Sequence, residues 1–144
     1  MENMKWNEKF KTFCFANGWT QQEVAEMVGA GIVTVRHWYQ GTRPISDNFR
    51  KVLVEKLGLD LKLLEDGEID IYSIFTKDMK WHNKLKAYCH AKGWTFDQVA
   101  EMTGYSPLTI SCWFRGDRRP SDKSKLVLVE KLGVDISIFY EEFE

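Results

Sequence analysis

The chain repeats itself. Met4-Lys5-Trp6 returns as Met79-Lys80-Trp81, and the same offset of 75 residues carries Gly18-Trp19-Thr20 onto Gly93-Trp94-Thr95. It also carries Val24-Ala25-Glu26-Met27 onto Val99-Ala100-Glu101-Met102, Ser46-Asp47 onto Ser121-Asp122, and the run from Val52 to Gly58 onto Val127 to Gly133. No gap is needed, and about half of the aligned positions are identical. Self-similarity at one fixed period is the mark of a duplicated unit, so the 144 residues read as two copies of one small domain. The copies are placed at residues 1–65 and 78–144, with a linker at 66–77. Units this short need a dense core, and six Trp, nine Phe and five Tyr supply large apolar side chains for it.

The linker, Asp66 to Lys77, begins acidic and then turns apolar through Ile69, Ile71, Tyr72, Ile74 and Phe75. A flexible connector would be polar and rich in Gly and Ser. This one is expected to pack, and so to hold the copies in a fixed relative orientation.

Within a copy the punctuation is helical. Trp6, Phe10, Phe13 and Cys14 fall on one face of a first helix, which Gly18 ends. Thr20-Gln21-Gln22-Glu23 is a capping box, in which the Thr hydroxyl and the Glu carboxylate each satisfy an unpaired backbone N–H. Trp19 and Val24 are spaced as the accompanying hydrophobic staple, and the second copy keeps the device as Trp94, Thr95, Gln98 and Val99. The second helix runs to about Val28, and Gly29 suits its left-handed end. A third helix starts near Gly31, where the second copy has Ser106 to cap and Pro107 in the first turn. It ends at Gly41 or Gly116, Ser46 or Ser121 caps a fourth, and Asp60 caps a short fifth. Small Ala25 lets the second and third helices approach, while Val35 and Trp38 anchor the third; Ala100, Ile110 and Trp113 are their counterparts. Two short helices joined by a three-residue, Gly-containing turn make a helix-turn-helix.

From Gly18-Trp19-Thr20-Gln21-Gln22-Glu23-Val24-Ala25 through Gly41-Thr42-Arg43-Pro44, the chain resembles the lambda-repressor-like (Cro/C1-type, XRE) helix-turn-helix family, and the second copy does so in the same places. The resemblance implies an all-α fold of two tandem five-helix domains, and a phage or bacterial repressor-like regulator of transcription that binds double-stranded DNA. It places the third helix in the major groove. Carried over by position, the base-facing residues are Gly31, Ile32, Val33 and His37 in the first copy and Ser106, Pro107, Leu108 and Cys112 in the second. Thr34, Arg36, Thr109 and Ser111 stand beside them. The phosphate-contacting residues are Gln21, Arg43, Arg115, Arg118, Arg119 and Lys123, with Lys125 nearby. One chain would then supply both units that repressors usually bring together by pairing, on half-sites that differ because the third helices differ.

The chain departs from the family where bases are read. Paired hydrogen bonds to bases call for Arg, Lys, Gln or Asn, and these third helices begin with Ile, Val, Pro and Leu. Phe96 stands where the first copy has Gln21, and Cys14 with Tyr39 and Cys89 with Phe114 replace a buried Arg–Glu pair of the family. The net charge of -1 lacks the excess of cations typical of DNA-binding domains. An apolar recognition surface also suits a protein-binding module, such as a phage-encoded inhibitor of a host protein, and that reading stays open beside the first. So does pairing with a second copy to give a homodimer.

Other classes find less support. Three Cys without C-x-x-C spacing, and three scattered His, argue against a disulfide framework and a metal site, and point to a reducing, cytoplasmic setting. No Ser–His–Asp or Cys–His arrangement and no glycine-rich phosphate loop argues for an enzyme, and no cofactor is implied. No apolar run is long enough to span a membrane. The end of the chain, Tyr140 to Glu144, reads as an acidic tail.

Overall fold

A computed structural model describes residues 2–140 of the chain; residues 141–144, most of the acidic tail, lie outside them. The chain divides into two compact units, one built from the residues up to Phe15 and Trp19–Ile74, the other including everything from Phe75 onward. The described residues are mostly helical, with one small two-stranded sheet.

In the first unit a short strand β1 (Glu2–Met4) leads into α1 (Trp6–Ala16), α2 (Gln21–Val28), α3 (Ile32–Gln40) and α4 (Asp47–Leu57). A single 3-10 turn (Leu61–Leu64) follows, and β2 (Gly67–Ile69) returns to pair antiparallel with β1, with Glu2 opposite Ile69. The all-α expectation is therefore corrected by this sheet. Its cause is the apolar stretch of the linker: Ile71 and Ile74 bury themselves in a second 3-10 turn (Ile71–Ile74), and the strand ahead of them satisfies its backbone groups on the N-terminal segment. The backbone N–H of Trp6 also donates to Asp66 at 2.7 Å, which fastens the start of α1 to the same region.

The second unit repeats the helices as α5 (Trp81–Ala91), α6 (Phe96–Thr103), α7 (Pro107–Arg115) and α8 (Asp122–Leu132), closed by a 3-10 turn at Ile136–Phe139. Both capping boxes form. Thr20 accepts from the Glu23 N–H at 3.1 Å while Glu23 accepts from the Thr20 N–H at 2.8 Å. Thr95 and Gln98 make the same pair of bonds at 3.2 and 2.8 Å. The expected fifth helix is one 3-10 turn in each unit, capped by Asp60 or Asp135.

The first core is built around Phe10, fully buried, whose ring meets Trp38 and Tyr39 edge-on at 6.2 and 5.5 Å. In the second unit Leu85 takes the place of Phe10, Tyr105 stacks edge-on with Trp113 at 5.0 Å, and Phe139 lies over Trp81. A nearly buried lysine closes each unit. Lys9 donates to the Glu65 carbonyl at 2.6 Å, and Lys84 donates to the Tyr140 carbonyl at 3.2 Å.

Candidate nucleic-acid interface

The turn between α2 and α3 depends on Gly29, which ends α2 with φ of 73° and donates to the Ala25 carbonyl. An L side chain strains in that conformation, and glycine does not. Gly104 ends α6 in the same way, at φ of 82°. Ala25 and Ala100 are buried at the crossing, Val35 and Trp38 fix the inner face of α3, and Ile110 and Trp113 fix that of α7. With the inner face committed, the opposite stripe of each third helix faces solvent.

On α3 that stripe holds Val33, Arg36, His37 and Gln40, with Gly31 exposed at the cap and Ile32 and Thr34 half-buried. His37 does not point free, since its Nδ1 pairs with the Thr42 hydroxyl at 2.8 Å. Arg36 is exposed and makes no hydrogen bond or ion pair among the described residues. Gln21 sits half-buried at the start of α2, and Arg43 is exposed and unpaired in the loop after α3.

On α7 the stripe holds Leu108, Ser111, Cys112 and Arg115. The Ser106 hydroxyl caps the helix by accepting from the Thr109 N–H at 3.2 Å, and pairs with the Thr109 hydroxyl at 3.0 Å. Pro107 and Leu108 are exposed beside it, Leu108 at 70%. Arg115 donates to Asp117 at 2.9 Å, to the Ser111 hydroxyl at 2.7 Å and to the Cys112 sulfur at 3.8 Å. The Asp117 carboxylate holds its guanidinium above the ordinary pKa.

The cations grouped by sequence divide in space. Arg118 and Lys123 are exposed and unpaired among the described residues. Arg119 donates instead to the Phe139 carbonyl at 3.1 Å and lies over the Trp81 ring at 5.2 Å, which engages it within the second unit. Lys125 is nearly buried, with its ammonium over the Tyr140 ring and 3.9 Å from Asp122. Asp122 lies three residues before Lys125 on α8, but the contacts to Trp81, Phe139 and Tyr140 have no signal in spacing, because those partners are distant in sequence.

Phe96, about half exposed, leans on Phe114 at 5.4 Å and borders an open groove of about 430 Å³ with Lys86, Ser111 and Arg115. The sequence marks Phe96 as the counterpart of Gln21 and, with Pro107 and Leu108, as part of an apolar patch suited to a protein partner; the groove beside it depends on how α5 and α7 meet.

Residues 85–139 match the family model described as Helix-turn-helix, which covers α6, the turn and α7. No curated protein and no solved structure matches the chain. Among the described residues, no helix is long and apolar enough to cross a membrane.

Proposed function

We propose that the chain is a sequence-specific DNA-binding regulator of transcription that uses two non-identical helix-turn-helix units, one at residues 1–65 and one at 78–144. The observation that carries this reading is the shared geometry of α3 and α7: each follows a tight glycine turn, buries one face on its own core and leaves the other in solvent. Each is also followed by an unpaired arginine, Arg43 or Arg118. A short helix held this way fits the major groove, and the arginine beyond its end reaches a phosphate. The helix-turn-helix match over residues 85–139 supports the same conclusion for the second unit.

Gly31, Ile32, Val33 and His37, and Ser106, Pro107, Leu108 and Cys112, are then the residues nearest the bases. Gln21, Arg43, Arg118 and Lys123 are the phosphate contacts that stand free for it. Fluorescence anisotropy of the full chain with mixed-sequence duplex DNA at two salt concentrations tests the reading. Binding at micromolar concentration or tighter, weakening steeply with salt, is the expected result. Absence of binding at low salt would overturn it.

One feature favours a second reading. Phe96, 48% exposed, lines a groove in the second unit where Asp117 pairs with Arg115, and Leu108 on α7 is 70% exposed. An apolar surface with little free charge suits a protein partner. Under that reading Leu108→Asp abolishes partner capture, and Arg118→Ala leaves it intact.

A further inference from the structure

We propose that the two units read DNA by different chemistry: Arg36 of the first hydrogen-bonds the edge of a guanine, and Leu108 of the second packs against a thymine methyl group. This rests on the DNA-binding reading above and adds to it what each half-site must contain.

The argument comes from equivalent positions on the exposed stripes of the third helices. The 75-residue offset sets Val33 against Leu108, Arg36 against Ser111, His37 against Cys112 and Gln40 against Arg115. On α3, Arg36 is exposed with its guanidinium unengaged. A planar fork of donors matches guanine O6 and N7, which both accept in the major groove.

On α7 the polar side chains are engaged with one another. Arg115 is occupied by Asp117, Ser111 and Cys112, and the hydroxyls of Ser106 and Thr109 bond to each other. What remains projecting is Leu108, one position beyond Pro107 and the most exposed large apolar side chain among the described residues. The apolar group that the major groove presents is the C5 methyl of thymine. A leucine against it gains from burying that methyl, and a uracil in the same place offers nothing equivalent.

The test uses the full chain. A duplex is selected from a random pool, and each thymine is then replaced singly by uracil and each guanine by 7-deazaguanine. In the unaltered chain one uracil replacement is expected to weaken binding about fourfold, the worth of one buried methyl. One 7-deazaguanine replacement is expected to weaken it by roughly fivefold or more. Leu108→Ala removes the first sensitivity and keeps the second; Arg36→Ala does the reverse. Both side chains are exposed, and an unchanged urea midpoint confirms that each variant is folded. If Leu108→Ala stays as sensitive to uracil as the unaltered chain, or Arg36→Ala keeps its guanine dependence, the proposal is overturned while DNA binding stands. If no duplex is bound at low salt, both fall together.

Discussion

The side-chain amide of Asn7 donates to the Tyr39 carbonyl at 3.0 Å, tying the start of α1 to the last turn of α3. Seventy-five positions on, His82 Nδ1 donates to the Phe114 carbonyl at 3.3 Å and ties α5 to α7 in the same way. The donor changes from amide to imidazole, and the bond persists because the end of a helix leaves carbonyls without intrahelical partners. Each clamp sets the angle at which the proposed recognition helix leaves its core.

The clamps leave no room beside the glycines that end these helices. A Cβ on Gly41 would lie 2.8 Å from Asn7 Cγ, and one on Gly116 would lie 2.6 Å from His82 Cδ2. Gly29 and Gly104 have nothing within 4 Å, with similarly positive φ. Alanine at Gly29 or Gly104 should therefore cost about 1–2 kcal/mol, from the left-handed conformation alone. Alanine at Gly41 or Gly116 should cost visibly more. Urea midpoints of the four variants check this, and equal losses at all four would show that the clamps are not tight.

Thr12 is fully buried on α1, and its hydroxyl has no hydrogen-bond partner. The second unit has Ala87 at the equivalent place, also fully buried. A desolvated hydroxyl without a partner is a cost, and a methyl of the same shape is not. Thr12→Val should raise the stability of the first unit by about 1 kcal/mol, read from the urea midpoint. A loss of stability would mean that the hydroxyl is satisfied in solution.

What was legible in the sequence was what the chain states locally. Thr20 with Glu23, Ser106 before Pro107, and the glycines after each helix act within four residues of themselves, so spacing alone located the caps. The β1–β2 pair was not legible. Glu2-Asn3-Met4 has no strand-like alternation, and its partner lies more than sixty residues away. The candidate site was legible as positions and illegible as free groups. Arg115 and Arg119 occupy the expected places, but Arg115 spends its donors on neighbours one turn away, and Arg119 on a carbonyl near the end of the chain. Only packing decides such choices.

The thiols make a prediction about pH. Burial pushes both Cys14 and Cys89 up to about 12 from an ordinary value of 9.0, with the Tyr39 hydroxyl beside Cys14 opposing the rise. Because the folded state disfavours the thiolate, the stabilising contribution is complete below pH 9 and is lost as pH rises toward 12. Stability should fall across that window by up to about 1.4 kcal/mol per pH unit for each thiol. Replacing both cysteines with alanine should remove their share of that fall and leave the share of Tyr39, whose hydroxyl is also pushed up by burial. At neutral pH a thiol reagent should modify Cys112, half-buried on α7, well before the other two, which react only on unfolding.

Arg118 and Arg119 are neighbours in sequence with different expected roles. Arg118 is exposed and unpaired, while Arg119 is held by the Phe139 carbonyl and the Trp81 ring. If the second unit binds DNA as proposed, Arg118→Ala removes a phosphate contact. The slope of log affinity against log salt should then drop by about 1, for every duplex sequence alike, with the urea midpoint unchanged. Arg119→Ala should leave the salt slope unchanged and lower the stability of the second unit by about 1 kcal/mol, the worth of one cation–π contact and a hydrogen bond to a carbonyl. Arg43→Ala should repeat the Arg118 result in the first unit. An Arg119 variant that flattens the salt dependence while keeping full stability would mean that the side chain leaves Trp81 when DNA arrives, and that the phosphate contacts extend one residue further along the loop.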